Sequence, residues 1–484
     1  MRVLTLRSYL ARGSYGYETT QAYRHKLLDR LGIPNSYVVV TPLADARWTE
    51  KFSWMGFDLS DVIVLPHRYS DVPDRPFGVP VNVALEEWPG AIPVTQTADH
   101  MLCLVDDGYL DLILEDGLVV SANVRDRNQQ LRTQTNFTTK KFVTLDLDTL
   151  TLTYYNADGS VALTCKAQDD RGDGLRRYRY ERNGHEFTTN EMVRDFLEEQ
   201  TVPGDVVILD QSQNDFGLGQ DFGAQRDVHI WPFIHFNAKH FYETHKGTEK
   251  TRESLRLPQH AFIASPYPIP WLRENLGIDS IFMPPIGVDV REEPPEGIGS
   301  NRCCMVGHLM ENKRVPIAID AFRELPELEL DVYGGSEKDA KELAETCKLP
   351  PNVHLMGAWP SEDIPRERYC CYVSCSKSEM FANAMVEACA VGLIPVVSNV
   401  DFGHRQYVRE IGCETAFDDV EGLREKLRMV ASWDLETRRA WSNRTLEWAR
   451  RFSREEVDRL IPSCLEQAIE YDHARWGGSK RAEA

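Results

Sequence analysis

Short apolar runs and helical-period segments alternate along the first part of the chain. Residues 2–6 and the run SYVVVTP at 36–42 are apolar enough to be buried strands. Between them, YETTQAYRHKLLDRLG places Tyr23, Leu27, Leu28 and Leu31 on one face of a helix, which Gly32 and Pro34 end. DVIVLPH at 61–67 is a further apolar strand. Strand, helix, strand is the opening of a doubly wound domain. From about 98 to 188 the pattern changes to short alternating strands. Turn dipeptides separate them: Asp107–Gly108, Asp116–Gly117, Asp158–Gly159 and Asn183–Gly184. Such dipeptides supply the positive φ angles of tight hairpins, so a β-meander is predicted. Helical periodicity returns at 189–200, and the strand DVVILD follows at 205–210.

A second α/β unit begins at CCMVGHL, 303–309. Its pattern reads strand, helix (316–325), strand (LELDVYGG), helix (337–347), strand (NVHLMG), helix, strand (CYVSCS), helix (383–391) and strand (IPVVSN). Short loops between alternating strands and helices imply a parallel sheet. Residues 433–476 are helical and rich in Arg, Glu and Trp, and EEPPEG at 292–297 is the most linker-like segment. The predicted class is therefore α/β, with two Rossmann-like doubly wound domains facing a cleft and an antiparallel β-meander inserted in the first. The expected boundaries are 1–95 with 189–295, the meander at 96–188, the second domain at 296–455, and a C-terminal helix at 456–484 packing back towards the first domain.

Composition narrows the partners. A chain of 484 residues with 42% hydrophobic and 27% charged positions has room for more than one core. Its formal charge of −20 argues against nucleic-acid binding. Any phosphate-bearing ligand then needs a local positive pocket. No apolar run approaches the roughly 18 residues that cross a bilayer. The opening MRVLTLRSYLARG is interrupted by Arg2, Arg7 and Arg12, which suits a first strand and not a signal peptide. The expected location is cytoplasmic, or peripheral at a membrane. Eleven cysteines without a C-x-x-C pair read as small buried hydrophobes in a reducing compartment.

Three loops after predicted strands carry chemistry. VGHLMENKR at 306–314 places Gly307 where backbone can approach a ligand, and Lys313 just before a helix. A cation there opposes the helix dipole unless an anion lies between them; on this signal alone a solvated surface lysine is the better reading. YGGSEKD at 333–339 opens a helix at Ser336 whose N–H groups could meet a phosphate or a base edge. In SEMFANAMVEACAVGLIPVV at 378–397, Glu379 lies in the loop and Glu387 in the first or second turn of the next helix. Carboxylates repel phosphates but accept both hydroxyls of a vicinal diol. A ligand with phosphates and sugar hydroxyls fits both features. The alternatives are a favourable charge near a helix N-terminus for Glu387 and a solvated loop residue for Glu379.

The E-x7-E spacing, preceded by G-x-L…K and followed by ACAVGLIPVVSN, resembles the C-terminal half of the retaining family 4 glycosyltransferases, which have a GT-B fold. GSYGYETTQAYRHKLLDRLG, GFDLSDVIVLPHRYSD, the inserted meander and FIHFNAKHFYE are similar to one subfamily. It contains the protein O-glycosyltransferases of the accessory Sec system and the wall teichoic acid α-glycosyltransferases. The resemblance implies transfer of a hexose, N-acetylglucosamine favoured or glucose, from a UDP-sugar to a protein Ser/Thr or a cell-wall polymer. It implies no metal and no cofactor, UDP-N-acetylglucosamine or UDP-glucose being a co-substrate. Gly16 would lie near the donor diphosphate, His235 would approach the donor sugar, and Lys313 would neutralise the diphosphate. Glu379 would hold the donor sugar and Glu387 the ribose, with Gly307, His308 and Phe381 completing the donor site. The Asp146–Asp148 pair falls in the meander and is a decoy as a metal motif.

Two departures bear on activity. The family normally has arginine where this chain has His308, five residues before Lys313, and histidine lacks the permanent charge and forked geometry. The usual E-G-F-G reads Glu379-Met380-Phe381-Ala382. A catalytically silent GT-B subunit that binds an acceptor or an active partner is the alternative function. The meander is the expected acceptor or partner surface, or a homo- or hetero-oligomer contact. Its basic residues Arg171, Arg176, Arg177 and Arg179 would meet an anionic acceptor or simply form a solvated face.

Overall fold

Strands whose residues are buried on both faces need helices above and below them, and the chain meets that need twice. The computed structural model describes residues 1–7, 16–43, 48–168, 178–210, 218, 220–244 and 259–482. It divides into Met1–Arg12 with Leu28–Ile230, and Gly13–Leu27 with Trp231–Ala484. Arg171, Arg176 and Arg177 lie outside the described residues, as do Gly13 to Tyr15; Arg179 stands on a meander strand.

In the first unit β1 (Val3–Arg7) pairs in parallel with β2 (Asn35–Val39) on one side, and β2 with β3 (Val62–Val64). The meander runs as ten antiparallel strands, from β4 (Ile92–Gln96) to β13 (His185–Thr188). Its hairpins turn where expected: Asp116 and Gly117, then Asn183 and Gly184, have positive φ. The helix Thr189–Gln200 starts at a capping box between Thr188 and Glu191. It leads into β14 (Val206–Leu209), which pairs in parallel with the other side of β1. One core joins meander residues Phe142, Tyr154 and Leu163 to Leu4, Val38, Phe196 and Val207. The inserted sheet is thereby fused to the Rossmann-like sheet by shared burial. A second core, around Leu110, Leu112, Val119 and Phe137, fills the other end of the meander. DVIVLPH is only partly a strand: Pro66 has no N–H to donate, and the chain passes into a 3₁₀ turn at Leu65–Tyr69.

In the second unit β15 (His229–Ile234), β16 (His260–Ile263) and β17 (Asp279–Phe282) form one parallel run. The terminal helix Arg454–Ala482 packs on it: Asp472 accepts from the Trp231 indole at 3.0 Å, and Tyr471 donates to Asp279 at 3.0 Å. The helix Gly16–Arg30 buries Leu27 and Leu28 as expected, but Leu31 is 45% exposed because the helix has ended. Its buried face is largely polar, with Glu18, Gln21, Arg24 and His25, which apolar periodicity does not mark.

The site-bearing sheet follows. It contains β18 (Arg302–Val306), β19 (Glu329–Tyr333), β20 (Val353–Gly357), β21 (Cys371–Ser374), β22 (Ile394–Ser398) and β23 (Ala416–Phe417). Their spatial order is β20-β19-β18-β21-β22-β23, all parallel. Chain order reverses between β18 and β21, and the carboxyl ends of strands at such a reversal are where open parallel sheets offer a ligand its space. The helix expected between β20 and β21 is replaced by two 3₁₀ turns, Ser361–Asp363 and Arg366–Arg368, since Pro360 and Pro365 each start one. All eleven cysteines are free and all but Cys347 are buried.

The loops after β18 and β19 touch through backbone. Gly334 has φ 131°, and a Cβ there would stand 1.9 Å from the Gly307 carbonyl oxygen. Gly334→Ala is expected to destabilise the protein by about 3 kcal/mol, from clash and strained backbone together. Gly357→Ala, with φ 76° but open space around its Cβ position, is expected to lose only about 1 kcal/mol. Urea denaturation of the two variants separates the contributions.

Candidate functional site

The loops leaving β18 and β21 are joined side by side. Lys377 N–H donates to the Asn312 carbonyl at 2.8 Å. Arg314, in the left-handed region with φ 49°, donates from Nε to the Cys375 carbonyl at 2.5 Å and from Nη2 to that of Ser376 at 3.3 Å. Lys377 also pairs with Glu311 at 2.6 Å. These bonds place Lys313 Nζ 2.5 Å from Glu379 Oε1, the Glu379 side chain being 14% exposed and that of Lys313 26%. A Cβ on Gly307 would lie 3.7 Å from Lys313 Cε, so the glycine forms the wall beside the lysine. Burial raises the Glu379 carboxyl, but the Lys313 ammonium outweighs it and holds the group below the usual glutamate range.

Glu387 is the fifth residue of the helix Asn383–Ala390 and so lies in its second turn. It accepts from Arg366 Nη2 at 2.6 Å and from Ser361 Oγ at 2.7 Å. Neither partner was marked by the sequence, because both sit in the segment expected to be helical. The two glutamates flank one strand residue: burial raises the Tyr372 hydroxyl, and the charges of Glu379 and Glu387 both add to that. The N-cap of this helix is Ala382, with φ 59°, whose own side chain makes no capping hydrogen bond. The helix at Ser336 differs, since Ser336 and Asp339 cap it reciprocally.

The remaining expected residues are placed as follows. Gly16 opens the helix Gly16–Arg30. His235 follows β15, half-buried, its ring stacked on Phe233 at 4.2 Å. His308 is half-buried one residue after Gly307. Phe381 is 3% exposed and packs edge-on against Tyr407 and Phe452, with its ring in the core. The structure thus brings Gly307, Lys313 and Glu379 together and gives Glu387 its own cation.

His404 is a residue that sequence reasoning missed. It starts the helix His404–Ile411 and is fully buried. Ser398 Oγ spends its proton on the Ser376 carbonyl at 2.6 Å, so the His404 Nδ1–H must donate to Ser398 Oγ, 3.3 Å away. Nε2 is then an acceptor, and it is buried without a partner among the described residues. Burial pushes the imidazole down to about 4; Lys313 and Arg314 push the same way, against the pull of Glu379.

Residues 290–448 match the model of the glycosyl transferases group 1 family. Over 439 residues the chain is 21% identical to the UDP-N-acetylglucosamine–peptide N-acetylglucosaminyltransferase GtfA subunit of Streptococcus pneumoniae serotype 4, covering 82% of this chain and 84% of that one. The structure is similar to that of the pneumococcal O-GlcNAc transferase GtfA in complex with UDP and GlcNAc, with TM-score 0.76, 18% identity, and 97% and 99% of the two chains covered. It is also similar to Staphylococcus aureus TarM bound to fondaparinux, α-GlcNAc-glycerol and UDP, with TM-score 0.71, 12% identity and 97% and 100% coverage. The fold is GT-B, with two Rossmann-like domains and an antiparallel meander inserted in the first.

The buried neutral imidazole has a consequence for acid stability. The unfolded chain protonates His404 below about pH 6.5, whereas the folded chain resists until about 4. Stability from this group is therefore full above pH 6.5 and falls as pH drops towards 4. Glu379, whose folded value is depressed, loses its contribution only at lower pH, below the ordinary glutamate range. Between pH 7 and pH 4.5 the wild type is expected to lose about 2–3 kcal/mol more than His404→Asn, measured by urea denaturation at the two pH values.

Proposed function

We propose that this protein is a retaining, metal-independent glycosyltransferase of family 4 that moves N-acetylglucosamine from UDP-N-acetylglucosamine to a hydroxyl of a protein Ser/Thr. Glucose from UDP-glucose and a cell-wall polymer are the other donor and acceptor considered. The observation that carries this reading is the Lys313–Glu379 pair at the carboxyl ends of β18 and β21, shortly before the helix Asn383–Ala390, whose N-cap residue is Ala382. A nucleotide sugar can divide that pair between its parts. Its diphosphate takes the Lys313 ammonium and the N–H groups of the helix, and its sugar hydroxyls take the Glu379 carboxylate. Glu387, held by Arg366 and Ser361, keeps lone pairs for a ribose diol.

In this reaction the bond between the anomeric carbon and the phosphate oxygen breaks as the acceptor oxygen bonds to the same face. The acceptor proton passes to the leaving phosphate, so no separate general base is needed. The protein's task is to stabilise the departing UDP, which Lys313 does in place of a metal ion. His235 approaches the sugar from the strand β15. The names of the relatives support the donor: GtfA acts from UDP-N-acetylglucosamine on a peptide, and TarM holds UDP with an α-linked N-acetylglucosaminyl glycerol. An α product from an α-linked donor is the outcome of retention.

His308 favours a second reading, a silent subunit that binds an acceptor or an active partner. The GtfA relative is itself called a subunit. Arg314 does not replace the missing arginine, because its guanidinium is spent on the Cys375 and Ser376 carbonyls. A partner surface is available on the meander: β4 ends the ten-strand order, and its Ile92 and Val94 are 64% and 53% exposed.

Donor hydrolysis separates the readings. Purified protein is expected to release UDP from UDP-N-acetylglucosamine faster than from UDP-glucose, and Glu379→Ala to lower the rate at least about a hundredfold. Calorimetric UDP binding without turnover, with turnover gained in His308→Arg, would establish the silent subunit. Absence of UDP binding would overturn the glycosyltransferase reading.

A further inference from the structure

The turn after β22 is held from two sides. On one side Phe402 forms a parallel β-bridge with Glu379, and a Cβ on Gly403 would stand 3.1 Å from Glu379 Cβ. On the other side the preceding residue, Asp401, meets the segment that follows His235. Lys239 Nζ donates to Asp401 Oδ2 at 3.0 Å, and Asn237 Nδ2 donates to the Asp401 carbonyl at 3.3 Å. Arg405 Nη1 takes the other carboxylate oxygen at 2.7 Å, while its Nε holds Asn399 Oδ1 at 2.8 Å. The turn is also strained. Phe402 has φ 77°, rare for an aromatic residue, with its N–H donated to Gln406 Oε1 at 2.9 Å. Strain of this kind persists only where the surroundings over-determine the backbone.

The partners of Asp401 are well placed to transmit position. Asn237 and Lys239 stand two and four residues after His235. Asn237 Oδ1 accepts from the His240 N–H at 3.0 Å, starting the short helix Ala238–Thr244. Asn237 is 8% exposed, and the side chains of Lys239 and Asp401 are about one-quarter to one-third exposed. Two cations meet one carboxylate, and both hold it below the usual aspartate range despite burial. The link is therefore charged at neutral pH.

We propose that Asp401 is a positioning residue that fastens the His235 segment to the Glu379 loop through Lys239 and Asn237. It touches neither sugar nor phosphate. Its effect is to fix, by one turn, the distance between a side chain that approaches the sugar and the carboxylate that holds it. The proposal rests on the glycosyltransferase reading for its catalytic part only. Reacting groups displaced by an ångström lose about a hundredfold in rate, so a loosened link appears in kcat before it appears in donor affinity.

The test uses the full chain with Lys239→Met, Asp401→Asn, the double variant and Lys239→Arg. Hydrogen exchange is followed over 236–244, kcat and KM by UDP release from UDP-N-acetylglucosamine, and UDP affinity by calorimetry. Expected are faster exchange over 236–244 and kcat lowered roughly tenfold to a hundredfold in both single variants, with UDP affinity within about twofold of wild type. The double variant should be no worse than Asp401→Asn, because both remove one link, and Lys239→Arg should recover most of the rate. Effects that multiply, or UDP affinity falling in step with kcat, would overturn the proposal. If the wild type releases no UDP, the glycosyltransferase reading fails and exchange decides alone: faster exchange in Lys239→Met upholds the fastening, and unchanged exchange overturns it.

Discussion

The Lys313–Glu379 pair is the interaction on which the crevice depends. Both groups have left most of their water, at 26% and 14% exposure, and each is tolerable there because of the other. Removing either would leave a charge half-buried and uncompensated. The pair also joins the loops after β18 and β21 at the point where chain order reverses, which is where an open parallel sheet offers a ligand its space. A ligand that replaces both halves at once, an anion for the lysine and hydroxyls for the carboxylate, enters without stranding either charge. A ligand with only one of these groups does not.

The neighbouring residues hold this pair in place. Arg314 adopts a left-handed backbone and spends its guanidinium on two carbonyls, so it is a brace between loops. Gly334 lets the next loop lie against the Gly307 carbonyl. Ser398 and His404 fix the Ser376 carbonyl from behind. Each depends on backbone contact across separate strands, and each fails if the strand ends shift by an ångström.

The sequence was legible where a local period or turn chemistry decided the outcome. The helices Thr189–Gln200 and Glu337–Cys347, the hairpin turns at Asp116–Gly117 and Asn183–Gly184, and the strands from β18 to β22 follow the apolar pattern. Two prolines defeated the helix expected between β20 and β21, and Pro66 shortened β3. The polar buried face of Gly16–Arg30 was illegible because apolar periodicity cannot register buried polar side chains. In the site, Glu379 and Glu387 were visible from their spacing, but Arg366, Ser361, His404 and Asp401 were not. Their roles come from partners 21, 26, 6 and 162 residues away. Phe381 was visible as a loop aromatic, yet nothing local told that its ring turns into the core.

Two carboxylates beside a helix start should repel the anion that such a start attracts. The pairing removes the contradiction. Glu379 is matched by Lys313 and Glu387 by Arg366, so each glutamate arrives with its own cation and the local sum is near zero. The dipole at this helix start, whose N-cap is an alanine, then acts on an incoming anion with little opposition. This also explains how a chain of net charge −20 could hold a diphosphate. The remote acidic surface is screened beyond about one Debye length, roughly 8–10 Å at ordinary salt, whereas the helix N–H groups and Lys313 would act at contact. Carboxylates that recognise hydroxyls can therefore sit beside groups that recognise phosphate, provided that each is neutralised where it stands. The helix at Ser336 makes the contrast: the N–H groups of Ser336 and Asp339 are already satisfied by each other's side chains, and it has less to offer an anion.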